Sequence, residues 1–85
     1  MDITAQLEGV VTLFGRLGVD VRREHLGGDS GGLCVIRGRR VVFVDLDADL
    51  ATRLDRCLQV LAGLPELDTV YVPPGLRERI EQART

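Results

Sequence analysis

The sequence has no lysine and no tryptophan, a single histidine (His25), and only three aromatics, Phe14, Phe43 and Tyr71. All eleven basic residues are therefore arginine, whose rigid donor fork suits carboxylate and phosphate contacts better than a lysine surface would. No apolar run approaches the roughly 18 residues that a membrane-spanning helix needs, which excludes such a helix. The N-terminus opens with Asp2 and carries no basic segment before an apolar one, so no secretory signal is expected and the chain is assigned to the cytoplasm. There is no CxxC pair. Cys34 and Cys57 are expected to be reduced, buried thiols rather than a disulfide.

What remains is ordinary material for a folded domain. Of 85 residues, 45% are hydrophobic and 28% charged, enough apolar content to exclude a disordered chain. The length fits a single domain over residues 1–85, with a core small enough to be marginal. The net charge of -2 hides an uneven distribution. Residues 16–40 are rich in arginine, whereas Asp45, Asp47, Asp49 and Asp55 crowd the following stretch. Opposite patches on so small a body favour self-association.

The apolar spacing of Ile3, Leu7, Val10, Val11, Phe14 and Leu17 predicts an amphipathic helix, closed by Gly18 as a left-handed cap. Gly9 and Gly15 weaken that helix and mark close packing. Residues 19–25 alternate as a strand with one wet face, and Gly27–Gly32 is a loop. Leu33–Arg37 and Arg40–Asp45 flank Gly38–Arg39 as a hairpin, the second run being apolar on both faces. Asp47 or Asp49 caps a helix built on Leu50, Leu54, Cys57, Leu58 and Leu61, which ends near Gly63–Pro65. Thr69–Val72 is read as a short strand, and Pro74 starts a last helix. The expected architecture is a two-layer α+β sandwich in the order αβββαβα. Its sheet is mainly antiparallel, of three to four strands, with helices on one face.

Several segments carry fragments of chemistry. Gly28-Asp-Ser-Gly-Gly32 resembles the serine segment of chymotrypsin-like proteases, but that mechanism needs a histidine base and an orienting aspartate, and two barrels do not fit in this length. The same loop, with His25, Gly28, Asp29, Ser30 and Gly31, is a candidate ligand site whose backbone N–H groups could wrap an anion. An enzymatic version would use this loop together with His25 and Cys34. Asp45-Leu-Asp-Ala-Asp49 begins like a calcium loop, but Leu50 stands where glycine is needed and Arg56 where glutamate is needed. His25, Cys34 and Cys57 are too irregularly spaced for a zinc site. No metal and no cofactor is expected.

A longer likeness spans about sixty residues. A helix, Leu17-Gly-Val-Asp-Val21, a loop, Gly32-Leu-Cys-Val-Ile-Arg-Gly-Arg-Arg-Val-Val-Phe-Val-Asp45 and a following helix resemble the first part of ImmA/IrrE-type zinc metallopeptidases. In that family the helix after the hairpin carries HExxH, two zinc-binding histidines and a glutamate base. Here that helix reads Arg53-Leu-Asp-Arg-Cys-Leu-Gln-Val60, so no ligand carries over. The resemblance implies a scaffold kept without peptidase chemistry.

The expected function is a small non-enzymatic interaction module. Its partner would be a second copy, as a dimer, or another protein, with no membrane association. Contacts would run through Arg37, Arg39 and Arg40 at the hairpin tip and Arg77, Arg79 and Arg84 on the last helix. The glycine-loop ligand site is the first alternative. Nucleic-acid binding through the Arg37–Arg40 hairpin is the second, disfavoured by the scarcity of stacking aromatics and the negative net charge.

Overall fold

The computed structural model of the chain describes residues 1–29 and 31–84. It is an α+β fold in which helix α1 (Ile3–Arg16) leads to β1 (Asp20–Glu24), β2 (Gly32–Ile36) and β3 (Arg39–Asp45). Helix α2 (Leu50–Ala62), a 3-10 helix (Pro65–Thr69) and α3 (Pro74–Arg84) follow. Among the described residues no helix is long and apolar enough to cross a membrane.

Local signals set the helix ends. Asp2 caps α1 by accepting from the Ala5 N–H at 2.8 Å. Gly18 takes φ 74° and closes α1 in a Schellman turn, with the Val19 N–H on the Phe14 carbonyl and the Gly18 N–H on Gly15. Asp49, not Asp47, caps α2 through the Thr52 N–H at 2.7 Å. The inward stripe of α2 is Leu54, Cys57, Leu58 and Leu61, while Leu50 stays 39% exposed. These side chains meet Val10, Leu13 and Phe14 of α1, Leu76 and Ile80 of α3, and Val42 and Val44 of β3. Helices α1 and α2 lie on one face of the sheet, and α3 packs against both of them.

The two helical glycines behave differently. A Cβ on Gly9 would stand 2.7 Å from Leu76 Cδ1, so this glycine is what lets α3 approach α1. A Cβ on Gly15 would meet nothing within 4 Å. Gly15→Ala should therefore stabilise the fold by about 0.5–1 kcal/mol through helix propensity. An unchanged or lower midpoint in urea would contradict this.

The sheet is mixed rather than mainly antiparallel, with strand order β1-β3-β2. β3 is central, parallel to β1 (Val21 beside Val42) and antiparallel to β2 (Leu33 beside Val42). The glycine loop causes this: it does not fold back as a hairpin but carries the chain over the C-terminal end of β3 to its far side. The hairpin turn sits at Arg37–Gly38, one residue earlier than expected. Both residues have positive φ, 52° and 80°, as a type I′ turn requires. A turn at Gly38–Arg39 would set Arg37 directly opposite Arg40, a like-charge pair that the observed register avoids. The segment expected as a fourth strand is also different. Thr69 ends the 3-10 helix, with its hydroxyl on the Glu66 carbonyl; Val70 is extended, and residues 71–73 have no regular structure and join no strand of the sheet.

Register and burial define the two faces of the sheet. Arg40, Val42 and Val44 point to the helices, whereas Arg39, Val41, Phe43 and Asp45 point away. Arg40 fastens the lower edge of the helical layer, donating to the Leu17 carbonyl at 2.8 Å and pairing with Glu66 at 2.6 Å.

Candidate functional site

The glycine loop is the densest polar feature of the molecule. β1 ends beside Asp45 and β2 begins beside Phe43, on opposite sides of β3. The loop must therefore span about two strand spacings, roughly 10 Å, across the end of the central strand. The strand end receives it with carboxylates. Asp45, 3% exposed, accepts from the N–H groups of Leu26 (2.9 Å), Gly28 (2.6 Å) and Asp47 (2.9 Å). Asp47 accepts from the Gly27 N–H at 2.8 Å and lies 2.8 Å from His25 Nδ1. The loop does wrap an anion with its backbone, as its glycines suggest, but the anion is the chain's own pair of aspartates.

Arginines from α2 complete this knot. Arg53 donates to the carbonyls of Ala48 and Leu46, and Arg56 to the carbonyl of Gly28. A Cβ on Gly31 would stand 3.0 Å from the Phe43 carbonyl oxygen, and its φ of 119° is one that L side chains rarely adopt. The cavity between β3 and α2, lined by Asp45, Ala48, Arg53 and Cys57 among others, measures about 10 Å³, room for one water molecule.

The ligand-site candidates thus divide. His25 and Gly28 belong to the knot, and the His25 side chain is 73% exposed. Asp29 is exposed, Gly31 is a tight backbone crossing, and Ser30 lies outside the described residues. Cys34 does not join them. It pairs with Val41, four residues down β3 from Asp45 and on the opposite edge strand from His25, a separation of roughly 15 Å. Nor is Cys34 a core thiol, as expected, but an exposed one. Cys57 is buried, and burial pushes its thiol up to about 11, which leaves it protonated and inert at neutral pH. Among the described residues no three histidine, cysteine or acidic side chains are grouped to hold a metal ion. The Asp45, Asp47 and Asp49 carboxylates, which the sequence aligns like cation ligands, accept backbone N–H groups instead.

The arginines expected at a partner surface are mostly engaged within the chain. Arg39 makes a bidentate pair with Asp20 at 3.0 and 2.9 Å, and Arg40 holds Leu17 and Glu66. Arg79 reaches Gln6, and Arg84 reaches Glu81 and Asp68. Arg37 and Arg77 are exposed, and among the described residues neither has an ion-pair partner. Arg37 also occupies the left-handed region, a conformation that costs a side chain about 1–2 kcal/mol relative to ordinary backbone.

Three carboxylates make the fold acid-sensitive. Arg39 hydrogen bonds hold Asp20 below the ordinary value of 3.8. His25, followed by the Gly27 N–H, does so for Asp47, and the Thr52 N–H for Asp49. Their folded-state values lie below the unfolded ones, so their contribution is present above about pH 4 and lost as pH falls through the depressed values. Urea midpoints should decline on the acid side of pH 4, and a flat profile from pH 5 to pH 2 would refute that.

Leu33–Arg37 was expected as a strand, but sequence reasoning missed that β2 is an exposed edge of the sheet. One sheet edge, β1, reads Asp-Val-Arg-Arg-Glu and is guarded by charge. The other, β2, reads Gly-Leu-Cys-Val-Ile, carries none, and leaves Leu33 41%, Val35 68% and Ile36 40% exposed. Its apolar run resembles a core strand in the sequence. Only the strand order, which puts β3 in the centre, reveals it as an edge. No protein family, curated protein or solved structure matches this chain.

Proposed function

We propose that this chain is a non-enzymatic protein-interaction module that self-associates, with the β2 edge as its contact surface. The observation that carries the reading is the uncharged edge strand, exposed on both faces beside a sheet whose opposite edge is charged. Exposed apolar edges pair with other strands unless a protein blocks them, and this one has no proline, no charge and no covering element among the described residues.

Ligand binding at the glycine loop is less well supported, because the Leu26, Gly27 and Gly28 amides already serve Asp45 and Asp47. Nucleic-acid binding by the hairpin is weakened by the commitment of Arg39 and Arg40 to partners within the chain. The likeness to ImmA/IrrE peptidases fits a scaffold whose corresponding helix, α2, lacks the zinc-binding motif, which is compatible with a binding role. A reducing, cytoplasmic setting suits two free thiols. Light scattering over a concentration series up to about 1 mM tests the reading, since even a weak dimer is populated there. The mass should rise from 9.3 kDa towards twice that value. A constant 9.3 kDa would remove self-association.

A further inference from the structure

We infer that two copies pair antiparallel through β2, with Cys34 on the two-fold axis, so that the sheet continues from one copy into the other. The inference rests on the reading of β2 as the contact edge and adds the occupant and its register. The type I′ turn at Arg37–Gly38 makes Ile36–Arg39 the closing hydrogen-bonded pair of the hairpin. Alternation then turns the backbone groups of Ile36, Cys34 and Gly32 towards β3, and those of Leu33 and Val35 towards the free edge.

That pattern is self-complementary. When Cys34 faces its own copy, Leu33 of each chain lies opposite Val35 of the other. These residues exchange N–H and C=O in both directions, while Cys34 occupies the closer, non-hydrogen-bonded position. The axis is perpendicular to the sheet, so both copies keep their helices on the same side and both Cys34 side chains emerge on the bare face. Such a pair has Cα atoms about 4.5 Å apart, within disulfide range.

Charge selects the antiparallel arrangement. β2 runs from the Asp29 end of the loop to the strained Arg37, which has no ion-pair partner among the described residues. Antiparallel pairing brings Arg37 of each copy alongside the Gly31 and Asp29 end of the other, whereas parallel pairing would set two Arg37 side chains together. The charged β1 edge offers no equivalent surface.

Diamide oxidation of the intact chain, read on non-reducing gels, tests this register. Two thiols lose two protons and two electrons to diamide as the Cys34 Sγ–Sγ bond forms. The expected result is rapid dimer cross-linking that Cys34→Ser abolishes and Val35→Lys slows by about tenfold or more, with unchanged circular dichroism for both variants. Arg37→Glu should weaken dimerisation in light scattering, and adding Asp29→Arg should restore it. A dimer in light scattering that fails to cross-link through Cys34, or that Val35→Lys leaves intact, overturns the register while self-association stands. A monomer throughout, without cross-linking, overturns both and leaves the edge to a strand from a different protein.

Discussion

Replacing Asp45 by alanine should cost about 3–5 kcal/mol, the largest effect of any polar substitution in this chain. Its carboxylate is almost completely buried and, among the described residues, accepts the backbone N–H groups of Leu26, Gly28 and Asp47. Hydrogen bonds to a charged acceptor contribute about 1.5–3 kcal/mol each, and a buried amide left without an acceptor costs about 1–3 kcal/mol. Some of those amides would recover water once the loop opens, so the total falls below a simple sum. For a domain of this size the loss corresponds to roughly 12–40 °C in melting temperature. Asp45→Asn keeps one acceptor oxygen but turns an NH2 group towards the amides, and should fall between parent and alanine. Hydrogen exchange gives a second readout. The Leu26 and Gly28 amides should lose protection in both variants, while the centre of α2 is affected only through global stability. Retention of slow exchange at Gly28 in Asp45→Ala would show that the carboxylate does not hold the loop.

Phe14→Ala should be comparably severe, at about 3–5 kcal/mol. Phe14 has no exposed surface and lies in the layer where α1 meets α2 and the sheet. With so few aromatics, no neighbouring ring can swing in to fill the space it leaves. A chain of this length has a total stability on the order of 4–13 kcal/mol, so the variant should lose a large fraction of it. Phe43→Ala is the informative contrast. Phe43 lies on the outer face of β3, half-buried, with the Arg22 guanidinium 5.5 Å from its ring centre. Its truncation should cost only about 1–2 kcal/mol, because water can occupy the vacated site. Equal losses for Phe14 and Phe43 in urea titrations would mean that the outer face is covered in solution. Comparison at low and high protein concentration would then show whether a second copy covers it.

The parts of this fold legible in the sequence are those decided locally. The apolar stripe of α1 and its glycine cap, the capped start of α2 and the arginine-flanked hairpin all follow from residues a few positions apart. The errors come from decisions made at long range. Thr69–Val72 has strand-forming residues, but a strand needs a partner, and the nearest free edge is either charged or on the far side of the sheet. The glycine loop was recognisable as a loop. Its ligand was not, because Asp45 lies seventeen or more positions away and reads in sequence as one carboxylate of a cation-like triplet. The parallel pairing of β1 with β3 leaves no local mark. Consequently the exposure of β2, on which the functional proposal rests, could not be seen before the strand order was known.

The loop that crosses the end of β3 also orders events in time. β2 and β3 are joined by two residues and can zip at once, whereas β1 must wait for a central strand that the chain has yet to make. The Asp45 knot closes only after that strand and the returning loop are both in place. Asp45 variants are therefore expected to unfold faster while folding at nearly the parental rate, and substitutions within the β2–β3 hairpin to slow folding itself. Stopped-flow chevrons would separate the two, and a slowed folding limb for Asp45→Asn would reverse the order. The crossing acts as a latch on a sheet that is already assembled, so the lifetime of the native state depends on one aspartate.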